Sequence, residues 1–148
     1  MADGTRGYAH RVDVHAPADL LWRGLTEPAL LQTWYGSEAR VDARTGGSHW
    51  VRVNRELARE AHIDIYDPPR RLRLIYLPWL GAPAGEAAIT DDFLLATESR
   101  FTVVRLLGGG IPEARAWDAV YQQQRTVWER MLMRLKVAME KQAALRAP

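Results

Sequence analysis

Apolar and polar residues alternate along "YAHRVDVHA" (8–16), with Tyr8, His10, Val12 and Val14 on one parity, which predicts a first strand. The spacing then changes. Pro17 opens "PADLLWRGL", where Leu20, Leu21 and Leu25 recur at helical intervals. A second short helix is expected after Thr26 as N-cap and Pro28 in the first turn, running through Leu30, Leu31 and Trp34 to a stop at Gly36. Alternation returns in "EARVDAR" (38–44) and "SHWVRV" (48–53), joined by "TGG" as a hairpin. "LAREAHIDIY" places Leu57, Ala61, Ile63 and Ile65 on one side. "DPP" turns the chain into "RRLRLIYL", where Leu72, Leu74 and Tyr76 alternate with Arg71, Arg73 and Ile75. A long loop, "PWLGAPAGEAA", precedes two more strands, "AITDDFLLA" and "SRFTVVRLL", around a turn at Thr97-Glu98. "GGGIP" reads as a flexible break. From Ala114 to about Gln142 there is no Gly or Pro, and Trp117, Tyr121, Gln124, Trp128, Met131, Leu135 and Ala138 recur at spacings of 4 and 3, one buried stripe of a long helix.

One strand, two short helices, six strands and a long helix make an α+β pattern, expected as a single domain over 1–148. That length is enough for a core without covalent staples. The chain has no cysteine, so disulfides, thiolate zinc sites and cysteine nucleophiles are excluded. No apolar run reaches the length of a signal peptide or a membrane helix, so a cytoplasmic location without membrane contact is expected. The net charge is +2, and the basic residues are interleaved with acids rather than gathered in a stripe, which argues against nucleic acid as a partner. Monomer and homodimer remain equally open.

Four segments in order, "VHAPADLLWRGLTEPALLQTWYG" (14–36), "TGGSHW" (45–50), "DPPRRLRLIY" (67–76) and the terminal "VWERMLMRLKVAMEK", resemble the START-like, or helix-grip, superfamily. Within it the chain is similar to the branch named for the C-terminal domain of the activator of the ninety-kilodalton heat-shock chaperone's ATPase. The resemblance implies a strongly bent antiparallel sheet of about seven strands gripping the long helix, with a ligand cavity of a few hundred cubic ångströms between them. It departs from the family at three positions. Trp34-Tyr35 stands where a double tryptophan is common, Gln124 where many members carry histidine, and Ile65 where a glutamate is frequent.

Candidate chemistry follows from parity within that frame. Trp34, Tyr35, Trp50, Tyr76, Trp117 and Tyr121 would border the cavity and stack on a flat apolar or aromatic ligand, while Trp79 sits in the long loop as a lid or contact residue. Asp91 shares parity with Ile89, Phe93 and Leu95, so it points inward. Arg105 shares parity with Phe101 and Val103, and a three-residue turn would place it opposite Asp91, as a buried pair or as a polar anchor completed by Gln124. His10, His15, His49 and His62 have no metal-ligand spacing, and His49 has the parity of Val51 and Val53. "LLGGGIPE" lacks the ending of a phosphate loop, so no metal or cofactor is expected, and no nucleophile–base set assigns a catalytic residue. Three functions stand: binding of a small apolar or aromatic molecule in the cavity, a cyclase- or hydrolase-type reaction there using Asp91, Arg105 or Tyr76, and a protein-interaction module related to chaperone ATPase activators.

Overall fold

In the computed structural model, which describes residues 4–146, the alternating segments become seven strands: β1 (Thr5–Val14), β2 (Glu38–Val41), β3 (Ser48–Arg52), β4 (Ala58–Asp67), β5 (Arg71–Tyr76), β6 (Thr90–Thr97) and β7 (Thr102–Pro112). The helices are α1 (Ala18–Thr26), α2 (Pro28–Leu31) and α3 (Asp118–Arg146), the last preceded by a 3-10 turn at Arg115–Trp117. All strands pair antiparallel in one sheet of order β1-β7-β6-β5-β4-β3-β2, and α1 and α3 pack on it in the α+β helix-grip arrangement.

Where the strand periods are clean, side chains alternate as expected. Leu72, Leu74 and Tyr76 on β5 and Asp91, Phe93 and Leu95 on β6 are buried, with Arg71, Arg73 and Asp92 between them turned away. On α3, Gln124, Trp128, Met131 and Leu135 of the expected stripe are buried, joined by Leu132 and Met139, while Tyr121 and Ala138 are half-buried. Lys136 Nζ donates to Asp13 O (2.7 Å) and to Glu140 Oε2 (2.7 Å), fastening the middle of α3 to the end of β1.

Five local expectations are corrected. Thr26 does not cap α2: it ends α1, its hydroxyl donates back to Trp22 O (2.9 Å), and Glu27 holds the N-cap position. The long helix starts as a 3-10 turn through Trp117, and its α-helical part begins only at Asp118. Ile65 does not continue the inward row. The register shifts between Ile63 and Ile65, so the strand rolls over and Tyr66 faces Trp22 instead, ring centroids 5.3 Å apart.

"GGGIP" is not a break but the end of β7, pairing Ile111 with Arg6 and Pro112 with Thr5. Its glycines are needed for close approach. A Cβ on Gly108 would collide with the Tyr8 ring lying across it, and Gly110 takes φ +76° at the register shift opposite Arg6/Tyr8. Finally, four residues rather than three connect β6 to β7, closed by Glu98 N–H donating to Phe101 O (2.8 Å). Thr97 therefore pairs with Thr102, and Asp91 with Gly108. Thr102, Val104 and Leu106 carry the inward parity, and Arg105 is exposed beside Leu94 and Arg11.

Candidate functional site

Four strands and α3 bring a polar cluster together inside the sheet–helix interface. Tyr8 comes from β1, Arg59 from β4, Tyr76 from β5, Asp91 from β6, and Gln124 with Trp128 from α3; Tyr35 enters from the segment after α2. Asp91 is 0% exposed and Arg59 5%. Gly108 makes the Asp91 contact possible. It lies between Tyr8 and Asp91 in the ladder, and across its missing side chain the Tyr8 hydroxyl reaches Asp91 Oδ1 at 2.6 Å.

Arg59 Nη1 donates to Gln124 Oε1 (2.7 Å), and its guanidinium lies on the Tyr76 ring, 3.9 Å from the centroid, with Trp79 at 5.4 Å. The remaining polar atoms are less well served. Arg59 Nε and Nη2, Tyr76 Oη, Asp91 Oδ2 and Trp128 Nε1 are buried without a hydrogen-bond partner. Unpaired buried donors and acceptors of this number in one place are uncommon in folded proteins.

Burial raises the Asp91 pKa, opposed by Arg59 and by the Tyr8, Tyr76 and Trp128 donors nearby. The Tyr35 hydroxyl is pushed up to about 12, first by burial and then by Asp91. Tyr8 and Tyr76 are pushed up for the same two reasons, so the three phenols stay protonated as donors. For Arg59, burial works against the charge, but the surrounding Tyr76, Tyr35, Asp91 and Tyr8 oxygens outweigh it and the net shift is upward.

The cavity expected between sheet and helix is nearly filled. Beside the cluster, Leu25, Leu31, Trp34, Tyr35, His49, Leu72, Leu74 and Phe93 enclose only about 10 Å³, room for one water at most. Trp34 and Tyr35 account for much of the filling. They stack at 5.0 Å, Trp34 Nε1 donates to Gly24 O (2.8 Å), and the Tyr35 ring lies 5.2 Å from Trp128. The open space lies one step outward. A cleft of about 440 Å³ runs between the β3–β4 turn (Asn54, Leu57), the β5–β6 loop (Trp79, Leu80, Pro83) and the start of α3 (Val120, Gln124). Two of its walls, Trp79 and Gln124, also contact the Arg59 guanidinium, and Trp79 meets Trp117 edge-on at 6.3 Å.

Of the residues singled out by sequence, Tyr35, Tyr76, Asp91 and Gln124 meet in the cluster, with Trp34 behind Tyr35 and Trp117 buried against Trp79. Tyr121 lies at the margin, its ring between Arg6 (4.8 Å) and Arg125 (5.7 Å). Trp50 is on the outer face, because His49 and Val51 take the inward parity, and Arg40 (4.6 Å) and Arg52 (5.6 Å) cover its ring. Arg105 does not approach Asp91, as the register dictates. The residues missed were Tyr8, read only as a strand position, and Arg59. The parity of Arg59 with Ala61 and Ile63 on β4 carried its signal.

The family profile "Activator of Hsp90 ATPase homolog 1-like protein" matches residues 15–140. The chain belongs to this family. Solved structures agree on the family's fold. A protein from Mesorhizobium loti, MLL2253, superposes with TM-score 0.80 at 17% identity, covering 92% of this chain and 98% of its own. The Aha1 dimer from Colwellia psychrerythraea gives TM-score 0.77 at 18% identity over 91% of this chain and 96% of its own. DynU16, a protein of the dynemicin biosynthetic locus, gives 0.75 at 20% identity over 93% of this chain and 48% of its own. No curated protein matches the chain. Among the described residues no helix is long and apolar enough to cross a membrane.

Proposed function

We propose that the domain binds one small, flat, largely apolar molecule at the Arg59–Gln124 end of the sheet–helix interface. One observation carries the reading: two buried donors without partners, Nε and Nη2 of Arg59, belong to a guanidinium that contacts Gln124 and Trp79, two walls of an open cleft. Burying polar groups unpaired costs stability, and a ligand bringing its own polar end would recover it. The apolar body of such a ligand would lie against Trp79, which lines the cleft and is backed edge-on by the buried Trp117. Entry to Arg59 requires Trp79 to turn aside, and its loop contains Gly81 and Gly85, both at positive φ. The likeness to a protein of a biosynthetic locus is in keeping with a small-molecule role and assigns no reaction.

The test is a titration of intrinsic tryptophan fluorescence with the uncharged dye N-phenyl-1-naphthylamine, together with native mass spectrometry of the protein as purified. Saturation at one dye per chain, weakened by Trp117→Ala, is the expected result. The absence of saturable binding would leave the filled interior as simple core.

A protein-interaction role draws on a different place. Along the outer face of α3, a groove of about 520 Å³ is bordered by the exposed Met133 and Val137 and by Arg130, Arg134 and Lys141. Interaction there would show as a concentration-dependent mass in light scattering, lost on Val137→Glu.

A further inference from the structure

We infer that the polar end of that ligand is a carboxylate, gripped side-on by the Nε and Nη2 edge of Arg59; this rests on the small-molecule reading above. A guanidinium presents five N–H donors in a fixed plane. In Arg59 the Nη1 side is taken by Gln124 and one face is covered by Tyr76. What remains is the edge where the Nε and Nη2 donors run parallel, and both nitrogens are buried without a partner.

Elsewhere in this molecule that same edge holds carboxylates. Arg71 donates from Nε to Asp92 Oδ1 (3.0 Å) and from Nη2 to Asp92 Oδ2 (2.7 Å). Arg11 grips Asp13 the same way, at 2.9 and 3.3 Å. Asp91 does not fill this role for Arg59. Its Oδ1 is committed to Tyr8 and its Oδ2 has no partner, so the two side chains attract without sharing a hydrogen bond.

A planar two-oxygen group fits two parallel donors better than a single hydroxyl or a point anion does, and such forked contacts are the strong ones. Gln124 then acts as the positioning residue, because its accepted hydrogen bond fixes the plane of the fork. Trp79, 5.4 Å from the guanidinium, lies where the body attached to the carboxylate would pack.

The experiment compares 2-naphthoate with its uncharged isostere 2-naphthamide, alongside the neutral dye already used. On the unaltered protein, naphthoate is expected to bind at least about tenfold more tightly than naphthamide, a difference typical of one charge-assisted contact. Arg59→Lys, which keeps the charge but loses the fork, should narrow that preference, and Arg59→Met, which loses both, should erase it. In a ¹⁵N spectrum of the unaltered protein, the Arg59 Nε–H signal should move on saturation with naphthoate and stay put with naphthamide. Equal affinity for the two naphthalenes, or an unmoved Nε–H signal, would overturn the carboxylate assignment while dye binding upholds the broader reading. Failure of all three probes to bind would overturn both. If Arg59→Lys does not fold, the spectrum of the unaltered protein decides the matter.

Discussion

Along its C-terminal half, α3 buries Met131, Leu132, Leu135 and Met139, and Met139 Sδ packs on Gly24 of α1. Along its N-terminal half the same helix buries Gln124 and Trp128 against a guanidinium, a carboxyl group and tyrosine hydroxyls. Both halves face the same sheet and both are closed to solvent. The apolar half gains from burial at each of these four positions, and among the described residues none of its buried side-chain polar atoms lacks a partner. The polar half bears the desolvation of Arg59 and Asp91 and completes only part of their hydrogen bonding. The first half holds the fold together; the second weakens it, a cost that the proposed ligand would recover.

That division can be broken most severely from the apolar side. Leu135 is 0% exposed, and Leu135→Ala is expected to lower stability by about 2–5 kcal/mol, read from the denaturant midpoint. A loss well under that range would mean that the C-terminal half is not the anchor. In the polar half, Tyr8→Phe removes the donor to Asp91 Oδ1 and should cost about 1–3 kcal/mol. In an Asp91→Asn background the same change should cost less, since the two sites share one contact. Strictly additive losses would show that the hydroxyl and the carboxyl are not coupled.

The apolar side has its own titratable probe. His49 is buried, and its Nε2 donates to Leu25 O (2.9 Å), so burial holds its pKa below the ordinary 6.5. The unfolded chain therefore takes up a proton that the folded chain refuses. Stability is full above pH 6.5 and declines as pH falls from there toward the folded pKa, by at most about 1.4 kcal/mol per pH unit. His49→Phe should flatten that slope in a pH series of chemical denaturations. The smallest effect belongs to Arg105. It is exposed, and Arg105→Met should change stability by no more than about 0.5 kcal/mol and leave ligand binding untouched. A large loss there would restore it to the cluster.

How far these features were legible depends on how regular the local chain is. The α3 stripe and the β5 and β6 faces were readable because large side chains recur without interruption at one period. Asp91 was readable for the same reason, as a charge standing in an apolar row. Arg59 was passed over because a cation between Ala58 and Glu60 looks like solvent-facing surface, although its parity with Ala61 and Ile63 pointed inward. Arg105 went astray through loop length. One more residue in the β6–β7 turn changes which face the following strand presents, and hydrophobicity alone does not count turn residues. The glycines of β7 were taken for a break because the aromatic ring that occupies their space comes from a strand about a hundred residues earlier in sequence. Cavity size was not legible at all, since it depends on how Trp34, Tyr35 and Trp128 fill the interior together.

Gly108 also shapes how this sequence can change over generations. Because the Tyr8 ring occupies the place of its side chain, positions 8 and 108 form one inherited unit rather than two independent sites. A larger residue at 108 displaces the ring, and Asp91 then loses the donor on its Oδ1. Relatives that carry a side chain at the position of Gly108 should therefore have a small residue in place of Tyr8, and a neutral one in place of Asp91. The three positions, on three neighbouring strands, should drift together or not at all.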